Sequence, residues 1–205
     1  MLFISGNSYS QTKIGITTGV NLTSIRGNAP EDANYSSSSG LIFGLSGEFN
    51  ITKSLKLVFQ PEYVQRNGYV GYDVKRSPDY VDSLETNLDY IILPVILKIP
   101  ALTNSTYFNG GVSFGYLTKA SIKNIILNSP SKDIESSLNS FDVSFLFGFG
   151  ATIHIYQNFD LDLEARYTQS VNNLGSGVNF DGNTLPTRFR SAGLQFITNI
   201  LYTIK

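Results

Sequence analysis

Apolar and polar residues alternate with a period of two through most of this chain, and no other feature narrows its possible folds so far. In the clearest run, Phe141, Val143, Phe145, Phe147, Phe149, Ala151 and Ile153 interleave with Asp142, Ser144, Leu146, Gly148, Gly150, Thr152 and His154. Successive side chains of a strand point to opposite faces, so the pattern describes a strand with one apolar and one small or polar face. Towards the start, Ile14, Ile16, Thr18, Val20 and Leu22 oppose Gly15, Thr17, Gly19 and Asn21. Leu41, Phe43, Leu45, Gly47 and Phe49 oppose Ile42, Gly44, Ser46, Glu48 and Asn50. Leu55, Leu57, Phe59, Pro61 and Tyr63 oppose Lys56, Val58, Gln60, Glu62 and Val64. Phe108, Val112, Phe114 and Tyr116 alternate with Tyr107, Asn109, Gly111, Ser113 and Gly115. Phe159, Leu161, Leu163, Ala165 and Tyr167 alternate with Asp160, Asp162, Glu164, Arg166 and Thr168. A last segment, about Arg188 to Ile204, sets Leu194, Phe196, Ile200 and Tyr202 against Gly193, Gln195, Ile197 and Asn199. One more, Thr86 to Ile99, is apolar on both faces, and Pro94 inside it predicts a bulge because proline cannot donate to a ladder.

These segments suit the roughly 9–11 residues that a tilted strand needs to cross a bilayer, whereas soluble strands run nearer 5–6. The longest apolar stretch, Tyr90 to Ile99, is broken by Pro94 and carries Lys98, so no helix is predicted to span. A chain like this can enter hydrocarbon only as a closed sheet, because an open edge would leave backbone groups unpaired. The connections agree. Asn50 to Ser54, Pro100 to Ser105 and Tyr156 to Asn158 read as tight turns. Thr23 to Ser39, Asn67 to Glu85, Lys119 to Asn139 and Val171 to Thr187 read as long polar loops, which alternate with the tight turns. All the long loops therefore fall at one end. Short periplasmic and long external connections are the asymmetry of outer-membrane barrels, and an even strand number puts both termini in the periplasm. The expected fold is all-β, an eight-stranded antiparallel up-and-down transmembrane barrel.

A soluble lipocalin-like barrel is the rival reading, and it differs by inversion. Its exposed polar face would be rich in charge, yet charged residues are 15% of this chain and the polar parity is mostly Gly, Ser, Thr and Asn. Small inward residues suit a narrow, filled interior. Glu48, Lys56, Glu62, Arg66, Asp162, Glu164 and Arg166 share the polar parity. Charges inside a barrel are costly unless paired, so these seven are expected to form a lumen network that satisfies itself and fixes register. A gating or proton-conducting role for them has no direct support.

Taken together, several stretches resemble the PorT-like outer-membrane β-barrel family. They are Lys13-Ile14-Gly15 through Gly19-Val20-Asn21-Leu22, Leu55 to Asn67 with Gln60-Pro61-Glu62 and the closing Gly68, and Tyr90 to Lys98 with Pro94. Gly110-Gly111 to Leu117, Phe147-Gly148-Phe149-Gly150, and Glu164-Ala165-Arg166-Tyr167 running to Asn173-Leu174 continue the match. The resemblance implies a barrel in a Gram-negative outer membrane and offers no catalytic motif to carry over. Residues 1–11, with Met1-Leu2-Phe3-Ile4 and a Ser8-Tyr9-Ser10 cleavage site before Gln11, look like the remnant of a signal peptide. A disordered N-terminus is the alternative there, and residues 12–205 form the barrel domain.

Catalytic chemistry finds little to work with. The chain has no cysteine, which removes disulfides, thiol catalysis and thiolate metal sites. His154 is the single histidine and sits at the expected periplasmic end. Gly44-Leu45-Ser46-Gly47 lacks a nucleophile elbow, and Gly148-Phe149-Gly150 lacks the rest of a dinucleotide loop. Both are expected to be strand glycines making room in the lumen. Asp160, Asp162 and Glu164 share a face that could hold a cation, but Arg166 beside them favours pairing. No catalytic, cofactor or metal site is therefore expected. A formal net charge of -1 gives no reason to expect nucleic acid. The expected function is a monomeric, non-enzymatic structural or interaction barrel. Its immediate partner is outer-membrane lipid, and any protein partner at the loops or periplasmic turns stays unassigned. A small-solute pore is the alternative within the same fold.

Overall fold

The computed structural model describes residues 12–27, 33–72, 83–101, 105–124, 130–175, 179–180, 183–184 and 189–204. The N-terminal segment read as a signal remnant lies outside them. Strands β1 (Thr12–Gly27), β2 (Ala33–Thr52), β3 (Leu55–Phe59), β4 (Glu62–Tyr72), β5 (Ser83–Pro100) and β6 (Thr106–Asn124) are followed by the two-residue β7 (Lys132–Asp133). Then come β8 (Phe141–Tyr156), β9 (Phe159–Ser170), the short β10 (Asn179–Phe180) and β11 (Asn183–Thr184), and β12 (Phe189–Ile204). Each long strand pairs antiparallel with its chain neighbours, and β1 pairs with β12 from Thr12↔Ile204 to Gly27↔Phe189. The sheet is closed. Because β3 and β4 form a single stave and β7 only edges β6, the ten-stranded sheet is an eight-stave barrel.

β3 and β4 count as one because their pairing with β5 holds one register from Lys56↔Lys98 to Gly71↔Ser83. Two prolines explain the gap between them. The Gln60 N–H donates to the Pro94 carbonyl at 3.1 Å, and the Leu45 N–H donates to the Pro61 carbonyl at 3.0 Å. In each antiparallel pair the reciprocal bond is missing because proline has no N–H. The bulge expected at Pro94 is therefore absent, and β5 runs through it in step with Ser113. The irregularity lies at Asp89/Tyr90, which face Lys119 and Leu117, so Thr118 is the extra residue. Its hydroxyl donates to the Asp89 carbonyl at 3.0 Å.

The apolar parity faces outward on every stave. Phe43, Phe108, Phe141, Phe145, Phe147 and Phe149 are each at least 60% exposed, while Thr17, Asn199 and Gln60 on the other parity are 0–1% exposed. This is the inverse of a soluble barrel. Outward aromatics pair across strands: Tyr116 meets Phe141 at one rim, with centroids 5.4 Å apart, and Phe159 meets Tyr202 at the other, at 5.2 Å. Such aromatic rims bound the apolar band of membrane barrels.

Two expectations about connections and glycines need correction. Much of the stretch read as long loops is strand, since β1 and β2 reach Gly27 and Ala33, and β4 and β5 reach Tyr72 and Ser83. Gly44 and Gly148 do not chiefly make room in the lumen. A Cβ on Gly148 would lie 2.2 Å from the Ala165 carbonyl oxygen, and one on Gly44 would lie 2.4 Å from that of Pro61. They let neighbouring backbones approach where a small barrel must curve tightly. Gly150 is different: its Cβ would strike the Tyr107 ring, which fills the lumen there.

Candidate functional site

The inward parity gathers charged side chains from separate staves into the lumen, where they sort into tiers. At the short-turn end, Lys98 of β5 is the hub. Its ammonium lies 2.7 Å from Asp162, 3.0 Å from Glu164 and 3.3 Å from Glu48, and 4.5 Å from the Tyr107 ring centroid. Lys56 stands directly opposite Lys98 across β3 and β5, a repulsive pairing that Glu48 relieves by accepting from Lys56 at 2.7 Å. Lys13 of β1 adds 2.5 Å to Asp160, whose other oxygen bonds His154 Nδ1. Thr152 donates to Asp162 at 2.7 Å.

The middle tier centres on Arg166, whose side chain is fully buried. Its Nε donates to Glu164 at 2.7 Å, and Nη2 bonds Glu164 and also Gln60, the latter at 2.6 Å. Asn199 gathers Gln60 (3.1 Å), Thr17 (2.8 Å) and Glu164 (3.0 Å), and Asn109 donates to Glu164 at 2.9 Å. Glu62 comes no nearer than 4.0 Å to Arg166 Nη1, and neither of its oxygens has a hydrogen-bond partner.

Arg66 belongs to a third, separate tier. It pairs with Asp142 of β8, donates to Ser191 at 3.1 Å, and lies 4.7 Å from the Tyr90 ring centroid. Ser191, Ser170 and Ser144 continue at 2.8 and 3.3 Å, and Ser144 returns to Asp142 at 2.8 Å, closing a ring across the barrel. Apolar side chains then seal the long-connection end: Leu88, Tyr90, Ile92, Leu117 and Ile122 meet Ile134, Leu138 and Leu174 from the connections. A 3-10 turn, Glu135–Ser137, carries Ile134 and Leu138 inward, and the Asn139 N–H donates to the Leu174 carbonyl at 2.9 Å.

Of the seven charges expected to share a lumen network, Glu48, Lys56, Asp162, Glu164 and Arg166 fall in one connected set. Glu62 sits at its margin and Arg66 in another tier. Lys98, Lys13, Asp142, Gln60 and Asn199 are the members that reading missed. All but Lys98 lay on a recognised polar parity, so following parity rather than charge alone would have found them. Lys98 was hidden because its segment shows no apolar and polar contrast.

Chemically the lumen is suited to rigidity more than to reaction. A cavity of about 40 Å³ there, lined by Glu48, Lys56, Lys98, Pro100, Thr106, Tyr107 and Thr152, has room for a water or two but not for a larger molecule. His154 is 75% exposed, and its bond partner Asp160 is shared with Lys13 rather than oriented towards a nucleophile. Among the described residues, no group of three His, Asp or Glu is placed to hold a metal ion.

A closed sheet with an apolar exterior and a polar, ion-paired interior defines a transmembrane β-barrel. The model of the family described as outer membrane protein beta-barrel domain matches residues 7–175, and the chain belongs to that family. It is an outer-membrane protein. No protein of curated function matches its sequence. Neisserial surface protein A is similar in fold, with a TM-score of 0.51 and 15% identity over 91% of this chain and 96% of that one. OprG of Pseudomonas aeruginosa aligns at TM-score 0.46 and 12% identity, over 95% and 96% of the two chains. Ail of Yersinia pestis, solved with the heparin analogue sucrose octasulfate, aligns at 0.45 and 12%, over 94% and 99%. At 15% identity the likeness to Neisserial surface protein A is one of fold alone.

Proposed function

We propose that the protein is a PorT-like, non-enzymatic barrel, closed to solutes, that presents its long-connection end outside the cell to a protein partner. The observation that carries this reading is the filled lumen. Ion pairs occupy the short-turn half, and Ile134, Leu138 and Leu174 seal the other. A solute would have to displace both, and a small barrel has no spare width for it. The long connections are the natural place for an interaction, since a rigid scaffold commonly carries function on its loops. The usual asymmetry of outer-membrane barrels, short turns inside and long connections outside, supports an orientation with Lys53-Ser54 and Gln157-Asn158 in the periplasm.

Purified, heat-modifiable barrel in planar bilayers tests closure. The expected record shows no discrete conductance steps at any holding potential. Reproducible single-channel steps that vanish on boiling the protein first would replace this reading with a pore.

A further inference from the structure

Outward-facing charges at the long-connection rim stand opposite unlike charges on one side of the barrel and opposite a like charge on the other. Along β5 and β6, Lys119 stands directly opposite Asp89, and Lys123 opposite Glu85. Along β1 and β12, Arg26 stands directly opposite Arg190. Both arginines lie on the outward parity, continuing the rows Leu22 and Leu194 begin, and both are exposed. Side chains directly opposite one another in an antiparallel pair have Cβ atoms about 4.5–5.5 Å apart, and like charges there repel. Among the described residues neither guanidinium enters an ion pair, and Arg190 makes only a 3.4 Å contact from Nε to Asn173. An external anion would turn this repulsion into a site.

We propose that Arg26 and Arg190 form a clamp for the phosphate of a lipid headgroup in the outer leaflet. Height supports a lipid source. Leu22 and Leu194 face each other four residues down the two strands, so the arginines stand about 13 Å farther along. With a strand tilt of 35–45°, that is roughly 10 Å above the last outward apolar pair. Headgroups extend about 5–7 Å beyond the hydrocarbon on each side, and arginine stems can lean back to that level. Two guanidinium forks side by side match the several oxygens of one phosphate, and each can donate in bidentate fashion. The choice of leaflet rests on the orientation proposed above, whereas the clamp does not.

The test is native mass spectrometry of detergent-solubilised barrel titrated with phosphorylated lipid A and with the same lipid after phosphatase treatment. Orientation plays no part in detergent, so failure here is failure of the clamp alone. Wild-type protein should retain the phosphorylated lipid about tenfold more strongly than the stripped one, the order expected for one charge-assisted, bidentate contact. The double variant Arg26→Gln/Arg190→Gln should lose that preference while keeping its heat-modifiable band, and Lys119→Gln should keep both. Equal retention of the two lipids, or an unchanged double variant, would overturn the proposal. So would an equal loss in Lys119→Gln, which would mean general surface charge. Complete displacement of the lipid by excess inorganic phosphate would assign the site to free anions instead.

Discussion

Among the described residues, Lys98 is the cation that meets the most carboxylates. Its ammonium is nearly sealed from solvent, at 3% exposure, and three carboxylates from β2 and β9 converge on it. Replacing it with methionine would leave Asp162, Glu164 and Glu48 crowded together with one cation fewer. Removing one partner of a buried pair costs about 3–5 kcal/mol, because the other charge stays buried without compensation. Lys98→Met is therefore expected to lower the unfolding free energy, read from denaturant titrations followed by the heat-modifiable band, by that amount. Coupling gives a sharper check. Asp162→Asn in the same chain should cost much less beside Lys98→Met than it does alone, since contacting residues are non-additive. Strictly additive losses would show that the hub does not exist. Lys98 was not legible in the sequence because parity assigns a face only where the two faces differ in polarity. Around it, Ile91, Leu93 and Leu97 face lipid while Tyr90, Ile92 and Ile96 fill the lumen.

At the scale of elements, contrast between faces decided what could be read. β8 was plain because phenylalanines alternate with small and polar residues. The upper parts of β2 and β4 were taken for loops because Ser36 to Ser39, Asn67 and Gly68 are small or polar on both faces. Their ladders, such as Ser37↔Gly68 and Asn67↔Asn87, are made of backbone bonds that side chains do not announce. Proline misled in the other direction. A missing donor was read as a missing register, yet the neighbouring bonds hold β5 in step and only one bond is lost. Pro94→Val should restore the donor facing the Gln60 carbonyl without shifting any pair. A neutral hydrogen bond contributes about 0.5–1.5 kcal/mol, so the variant is expected to unfold at a higher denaturant concentration. Amide exchange would report the new bond as slowed exchange at residue 94. A destabilised variant would mean that the proline ring fills space that valine does not.

The whole molecule reverses a soluble protein: its apolar surface faces out and its ion pairs face in, and both ends of the lumen are occupied. That inversion was legible because small residues and few charges on the polar parity fit a narrow interior better than a solvated exterior. Which charges meet, and that Arg66 stands apart from Arg166, depends on strand stagger, which alternation does not encode. Closure and orientation can be read together because the chain contains no cysteine, so each introduced thiol reports alone. Ser136 is exposed in the β7–β8 connection, Lys53 is exposed in the β2–β3 turn, and Ser113 is 3% exposed within the lumen. With a membrane-impermeant maleimide, Ser136→Cys should label on intact cells, and Lys53→Cys only after the outer membrane is permeabilised. Ser113→Cys should stay unlabelled in both and react only once the barrel is unfolded. Labelling of Lys53→Cys on intact cells, with Ser136→Cys silent, would turn the barrel over. Ready labelling of a folded Ser113→Cys would show that water reaches the middle tiers, and the lumen would then have to be treated as a path.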